Sequence, residues 1–148
     1  MERYTQRWQI ILSEIKRFDV RFHPDAEKEY KGLDNSVVGI VNKSIDDLEI
    51  RADEVGKPLK NNTNSKLAGC REKKLRDAGV RIIFKVTKER VDVLRIVYIL
   101  TIEKRSNDFA FKIAHKRNQV IKRLPKNEFN KHLRICIDWR KINKNKKQ

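Results

Sequence analysis

Cys70-Arg-Glu-Lys-Lys-Leu-Arg76, Val80-Arg-Ile-Ile-Phe-Lys-Val-Thr87 and Val91-Asp-Val-Leu-Arg-Ile-Val-Tyr-Ile-Leu-Thr-Ile102 follow one another with only three residues between neighbours. The first alternates imperfectly, the second is rich in β-branched and aromatic residues, and the third is apolar at both parities. These patterns predict three strands, the last one central and covered on both faces. Asp77-Ala-Gly79 and Lys88-Glu-Arg90 are the expected turns, and connections this short make antiparallel neighbours.

Outward from this meander, Phe18-Asp-Val-Arg-Phe22 alternates as a fourth short strand. Pro24 opens a helix with Asp25 and Glu27 near its positive end, and Gly32 closes it. A longer helix starts at Asn35 or Ser36, keeps Val37, Val41, Ile45, Leu48 and Ala52 on one side, and stops before Gly56 and Pro58. Residues 60–66 contain no apolar side chain and read as an exposed loop. Ser106 or Asn107 caps a further helix with Phe109, Ile113 and Arg117 in line. The expected fold is a small α+β domain: an antiparallel sheet of about four strands, two N-terminal helices on one face, the other face partly open, and a C-terminal helix. An additional helix over 3–16 precedes it, giving segments 1–17, 18–117 and 118–148.

The chain has 148 residues and a formal charge of +16. Ten basic residues and two acids lie between Asn118 and Gln148, half the whole excess. The excess points to a polyanionic partner, most simply nucleic acid; the basic end reads as a nucleic-acid arm or as a solvated tail. Phe129, Leu133 and Ile137 recur every four residues and predict a short amphipathic helix after Pro125, with the last six residues unstructured. No apolar run is long enough for a membrane span, and the N-terminus lacks the pattern of a secretory signal. Cys70 and Cys136 form no metal-ligand spacing, and no phosphate loop, GxSxG or paired metal-binding histidines occur. The reading is a cytoplasmic protein without metal or cofactor.

Candidate chemistry lies in cations on strands. Alternation puts Glu72, Lys74 and Arg76 on one face and Leu75 on the other. Burying Val80, Ile82, Phe84 and Val86 turns Arg81 to the outer face beside Lys74, and Arg105 follows the central strand. Gathered cations repel one another, a cost that a bound phosphate reverses; the alternative is a solvated basic face.

The strings Phe22-His-Pro-Asp-Ala-Glu-Lys-Glu-Tyr30, Gly56-Lys-Pro-Leu59, Lys66-Leu-Ala-Gly69, Lys74-Leu-Arg-Asp-Ala-Gly-Val-Arg-Ile-Ile-Phe84, Val91-Asp-Val-Leu94, Lys104-Arg105 and Ala114-His-Lys-Arg117 resemble the RelE/ParE toxin superfamily over about residues 18–117. The resemblance implies a compact antiparallel sheet with two N-terminal helices and a cognate antitoxin as partner. For the RelE branch it implies ribosome-dependent, metal-free cleavage of mRNA by 2′-OH attack, leaving a 2′,3′-cyclic phosphate. For the ParE branch it implies inhibition of DNA gyrase. A third reading is an inactive basic nucleic-acid-binding module.

Carried over, the family's transition-state cations match Lys74, Arg81 and Arg105. A further family lysine is replaced by Glu72, and the family's active-site tyrosine by Phe111. Proton transfer then falls to Glu72, less readily to Lys74, or to His115, one turn after Phe111. Arg71, Lys73, Arg76, Lys104, Lys116 and Arg117 are the expected RNA or ribosome contacts.

Overall fold

In a computed structural model, residues 15–146 are described. The expected helix over 3–16 lies outside them except for residues 15 and 16, which are not helical, and the last two residues lie outside as well. The order is β1 (Phe18–Phe22), α1 (Pro24–Lys31), α2 (Asn35–Arg51), β2 (Lys57–Pro58), β3 (Cys70–Leu75), β4 (Val80–Val91), β5 (Leu94–Glu103), α3 (Asn107–Lys122), α4 (Lys126–Ile135) and α5 (Trp139–Lys146).

The sheet has five strands in the order β1-β5-β4-β3-β2. It is mixed, not purely antiparallel, because β1 pairs with β5 in parallel, Phe18 opposite Arg95 through Phe22 opposite Ile99. The β3–β4–β5 meander is present, with β5 buried along almost its whole length. Its second turn is displaced: β4 runs through Lys88-Glu89-Arg90, with register shifts near Ile83 and between Val86 and Arg90, and reverses at Asp92-Val93. Asp92 takes φ 55°, a left-handed conformation that aspartate tolerates. Gly56, at φ 76°, could not carry a side chain: a Cβ there would lie 2.6 Å from the Glu72 carbonyl oxygen.

Both faces of the sheet are covered. On one, Val41, Ile45 and Leu48 of α2 and Ala26 and Tyr30 of α1 pack on Val20, Phe22, Ile82, Phe84, Val97 and Ile99. On the other, Ala110, Ala114 and Ile121 of α3 and Leu133 of α4 cover Ile83, Tyr98 and Leu100. The outer face expected to be partly open is therefore a second core, with exposed side chains near the β3–β4 turn. Within α3 the buried line is Ala110, Ala114, Asn118 and Ile121, whereas Phe109 is exposed.

The basic C-terminal stretch is part of the fold. Helix α3 runs unbroken past Arg117, so the change in composition at residue 118 marks no structural boundary. After α4 the chain crosses the edge of β1, where the Phe22 N–H donates to the Ile137 carbonyl at 3.2 Å and Arg21 bridges Asp138. The crossing blunts an otherwise open strand edge. Trp139 then enters the first core fully buried, edge-on to Tyr30 and Phe22, its indole N–H donating to Asp46 at 2.8 Å. Residues 143–146, expected to be unstructured, continue α5. Among the described residues, no helix is long and apolar enough to cross a membrane.

His23 caps α1, its Nδ1 accepting the Asp25 N–H at 3.0 Å, and packs against Tyr98 and His132. Burial, helped by the nearby Arg117 charge, lowers its pKa to about 4. The folded state thus refuses a proton that the unfolded chain accepts near pH 6.5. Its contribution to stability is complete above that value and is lost as the pH falls towards 4. Between pH 7 and 5 this removes about 2 kcal/mol. His23→Asn keeps a capping acceptor without the titration, so its urea midpoint should fall less over that interval than wild type. Parallel curves would contradict this assignment.

Candidate active site

Lys74 and Arg81 sit directly opposite each other on adjacent strands, one step inside the β3–β4 turn. Cross-strand neighbours of like charge destabilise a sheet. With Leu75, Arg76, Gly79 and Val80 they line an open cleft of about 370 Å³. Gly79, at φ 64°, closes the turn, and Lys74 is exposed. The alternation of β3 thus brings Lys74 and Arg81 together as the sequence implies. It adds Arg76, expected as a peripheral RNA contact, to the cleft itself.

Arg81 donates through Nη1 to the Arg105 carbonyl at 3.4 Å. Its buried Nε has no hydrogen-bond partner among the described residues. Arg105 arrives at the site through its backbone. Its guanidinium is gripped by Glu103, Nε to Oε1 at 2.7 Å and Nη2 to Oε2 at 3.0 Å, and lies 3.4 Å over the Phe109 ring. The Glu103 hydrogen bond, which outweighs desolvation, raises the Arg105 pKa further. Burial opposes ionisation of Glu103, but hydrogen bonds from the Arg105 side chain and from the Arg105 and Lys104 backbones hold its carboxyl below the ordinary value. The expected convergence of Lys74, Arg81 and Arg105 is therefore met by two side chains and one neighbouring backbone. Glu103, opposite Arg81 in the β4–β5 register, is the residue that sequence reasoning missed. Its signal was the Glu-x-Arg spacing, which places both on one side of an extended chain.

Glu72 lies behind Lys74 on the same strand face. It is buried, with Oε1 3.8 Å from the Lys74 Nζ and Oε2 without a partner among the described residues. His115 is elsewhere: its Nδ1 accepts the Lys66 N–H at 2.8 Å, pinning the 60–66 loop to α3. Phe111 lines a different cavity of about 320 Å³ with Pro58, Leu59, Asn61, Asn62 and Leu67.

Three of the expected RNA contacts are engaged within the fold. Arg71 donates to the Val55 carbonyl at 2.8 Å and the Gly56 carbonyl at 3.3 Å, and Lys73 pairs with Asp47 of α2 at 3.3 Å. Arg117 clamps Glu29 through two hydrogen bonds, of 3.0 and 2.8 Å, and also donates to the Leu100 carbonyl at 2.8 Å. Lys104 and Lys116 remain exposed. Glu29 also accepts from Thr101 Oγ1 and the Ile102 N–H, so one half-buried ion pair ties α1, α3 and β5 together. Arg117→Met should destabilise the protein by about 2–4 kcal/mol in chemical denaturation, because it strands a carboxylate. Adding Glu29→Leu should recover part of that loss. A single variant as stable as wild type would contradict the role.

The described residues can be set beside solved structures. An arginine-to-alanine double variant of the Escherichia coli toxin RelE in the free state superposes with a TM-score of 0.53 at 22% identity, covering 70% of this chain and 98% of that one. The chain has the RelE toxin fold. Two other matches are the isolated E. coli RelE toxin, with TM-score 0.47, 21% identity and coverage of 72% and 97%, and the Mycobacterium tuberculosis RelBE2 toxin–antitoxin complex, with 0.47, 23%, 62% and 100%. No protein-family model and no curated protein matches the chain. The free-state RelE variant is covered almost end to end, while about three tenths of this chain lies outside that superposition.

Proposed function

We propose that this protein is the toxin of a type II toxin–antitoxin pair and that it cleaves mRNA on the ribosome. The observation that carries the reading is the Lys74–Arg81 cross-strand pair lining an open cleft, on a fold shared with RelE. Holding two cations side by side costs folding energy that the Glu72 carboxylate, 3.8 Å from the Lys74 amine, offsets only in part, and a phosphodiester entering the cleft turns the rest into attraction.

In the proposed reaction the 2′-oxygen of the substrate attacks the adjacent phosphorus. The bond to the 5′-oxygen breaks, leaving a 2′,3′-cyclic phosphate and a 5′-hydroxyl. Lys74 and Arg81 hold the extra charge of the phosphorane, with Arg76 at the rim. Arg81 acts as a fixed clamp, since guanidinium keeps its proton. The proton leaving the 2′-OH goes to Glu72, and the departing 5′-oxygen takes a proton from solvent water in the open cleft. Arg105 joins the phosphate only by leaving Glu103. In this reading His115, its Nδ1 accepting the Lys66 N–H at 2.8 Å, orders the loop.

The +16 charge suits both an acidic antitoxin segment and ribosomal RNA as partners. Primer extension on translated message tests the reading: wild type should give new stops that a Lys74→Ala/Arg81→Ala variant does not. Identical patterns would remove it. The capture of Arg105 by Glu103 and the aromatic, non-titrating Phe111 favour a second reading, inhibition of gyrase without nuclease chemistry. A supercoiling assay with excess protein decides that, and unchanged supercoiling excludes it.

A further inference from the structure

A second cation pair sits at the far end of β4. Arg90 and Arg95 are directly opposite each other in the β4–β5 register, one step inside the Asp92-Val93 turn. With Lys16, Arg17, Phe18 and Val93 they line another cleft of about 370 Å³. Arg17 is committed to Asp53 at 2.7 Å, and Lys16 lies 3.5 Å from Glu49. The other two are not neutralised: Arg90 donates only to the Val93 carbonyl at 3.4 Å and Arg95 only to the Thr87 carbonyl at 3.2 Å, with no carboxylate partner among the described residues. Among the described residues, neither Glu89 nor Asp92 pairs with either guanidinium.

This cleft is distinct from the candidate active site. Arg95 shares the sheet face of Val97, which packs towards α1 and α2, whereas Arg81 shares that of Ile83, which packs towards α3. Arg81 and Arg90 are nine residues apart along β4, about 25–30 Å. A short strand held at Lys74 and Arg81 does not reach Arg90.

We propose that the Arg90–Arg95 cleft is a second nucleic-acid site that grips the phosphate backbone of a folded RNA. Two guanidiniums about 5 Å apart at the Cβ level present forked donors that match phosphate oxygens. The lining offers little to an apolar peptide anchor: Phe18 is buried with Arg17 stacked 5.0 Å from its ring, and Val93 stands out at the tip. Backbone contacts of this kind position an RNA without reading its sequence.

Fluorescence anisotropy with the full chain tests the proposal, using a 20-base-pair RNA hairpin, a single-stranded RNA hexamer and polyglutamate as probes. Arg90→Gln/Arg95→Gln should weaken hairpin binding about ten-fold and lower its log–log salt slope by about 1–2. Lys28→Gln/Lys31→Gln removes the same charge from exposed positions on α1 and should change hairpin binding less than two-fold. Hexamer binding should be unaffected by the Arg90/Arg95 change. Thermal melting confirms that both variants are folded, and Arg90→Lys/Arg95→Lys, which keeps the charge and loses the forks, should recover part of the affinity. Equal losses in the two glutamine variants overturn the proposal, and so does a loss confined to polyglutamate, which assigns the cleft to an acidic protein. The readout contains no cleavage step, so its failure and that of the nuclease reading are separable.

Discussion

Trp139→Ala should cost about 3–5 kcal/mol of folding stability, the range for deleting a large buried aromatic side chain. The residue is fully buried, and its removal opens a cavity against Phe22 and Tyr30 and strands Asp46, which loses its indole donor. Domains of this size are stable by only about 5–15 kcal/mol, so the loss is a large share of the total. Trp139→Phe, which keeps a ring and loses the hydrogen bond, should fall between alanine and wild type. Guanidinium unfolding followed by circular dichroism at fixed pH measures both. An alanine variant within about 0.5 kcal/mol of wild type, the scale on which exposed substitutions fall, would mean that the C-terminal helix is an appendage after all.

That the basic end returns into the core was only half legible in the sequence. Phe129, Leu133 and Ile137 announced a helix with an apolar side, but their periodicity does not say which surface receives it. The landing of Trp139 on α1, α2 and β1 is a contact between residues more than ninety positions apart, fixed by the shape of the core. The parallel pairing of β1 with β5 was hidden for the same reason. The β3–β4–β5 meander was legible because it depends on local alternation and short turns. The displaced second turn shows the limit of that logic: Lys88-Glu89-Arg90 looks like a solvated loop, yet charged residues are well tolerated on a projecting hairpin arm, and the register shift carries the strand past them.

The candidate site divides the same way. Strand parity correctly paired Lys74 with Arg81, because side chains alternate with period two. Parity says nothing about which partner a long side chain chooses. Arg105 was captured by Glu103, and Arg117 by Glu29. Charge counting could not foresee either choice, since each depends on a carboxylate brought alongside by folding.

The largest expected effect on function belongs to the Lys74–Arg81 pair. Removing one preorganised charge donor at a reacting centre commonly costs about 10²–10³ in rate. Lys74→Ala and Arg81→Ala should each reduce cleavage by that order. The double variant should lose less than the product of the two, because in the proposed reaction both hold the same phosphate. Arg81→Lys keeps the charge but loses the fork, and should recover only part of the rate. Arg105→Ala should do less harm than Arg81→Ala, since its guanidinium is bound to Glu103 beforehand. The most direct measurement is the single-turnover cleavage rate of message on programmed ribosomes at saturating toxin, wild type against Arg81→Ala. A fall of about 10²–10³ with ribosome binding retained is the predicted result; equal rates in the two proteins, or no cleavage by wild type, would contradict it.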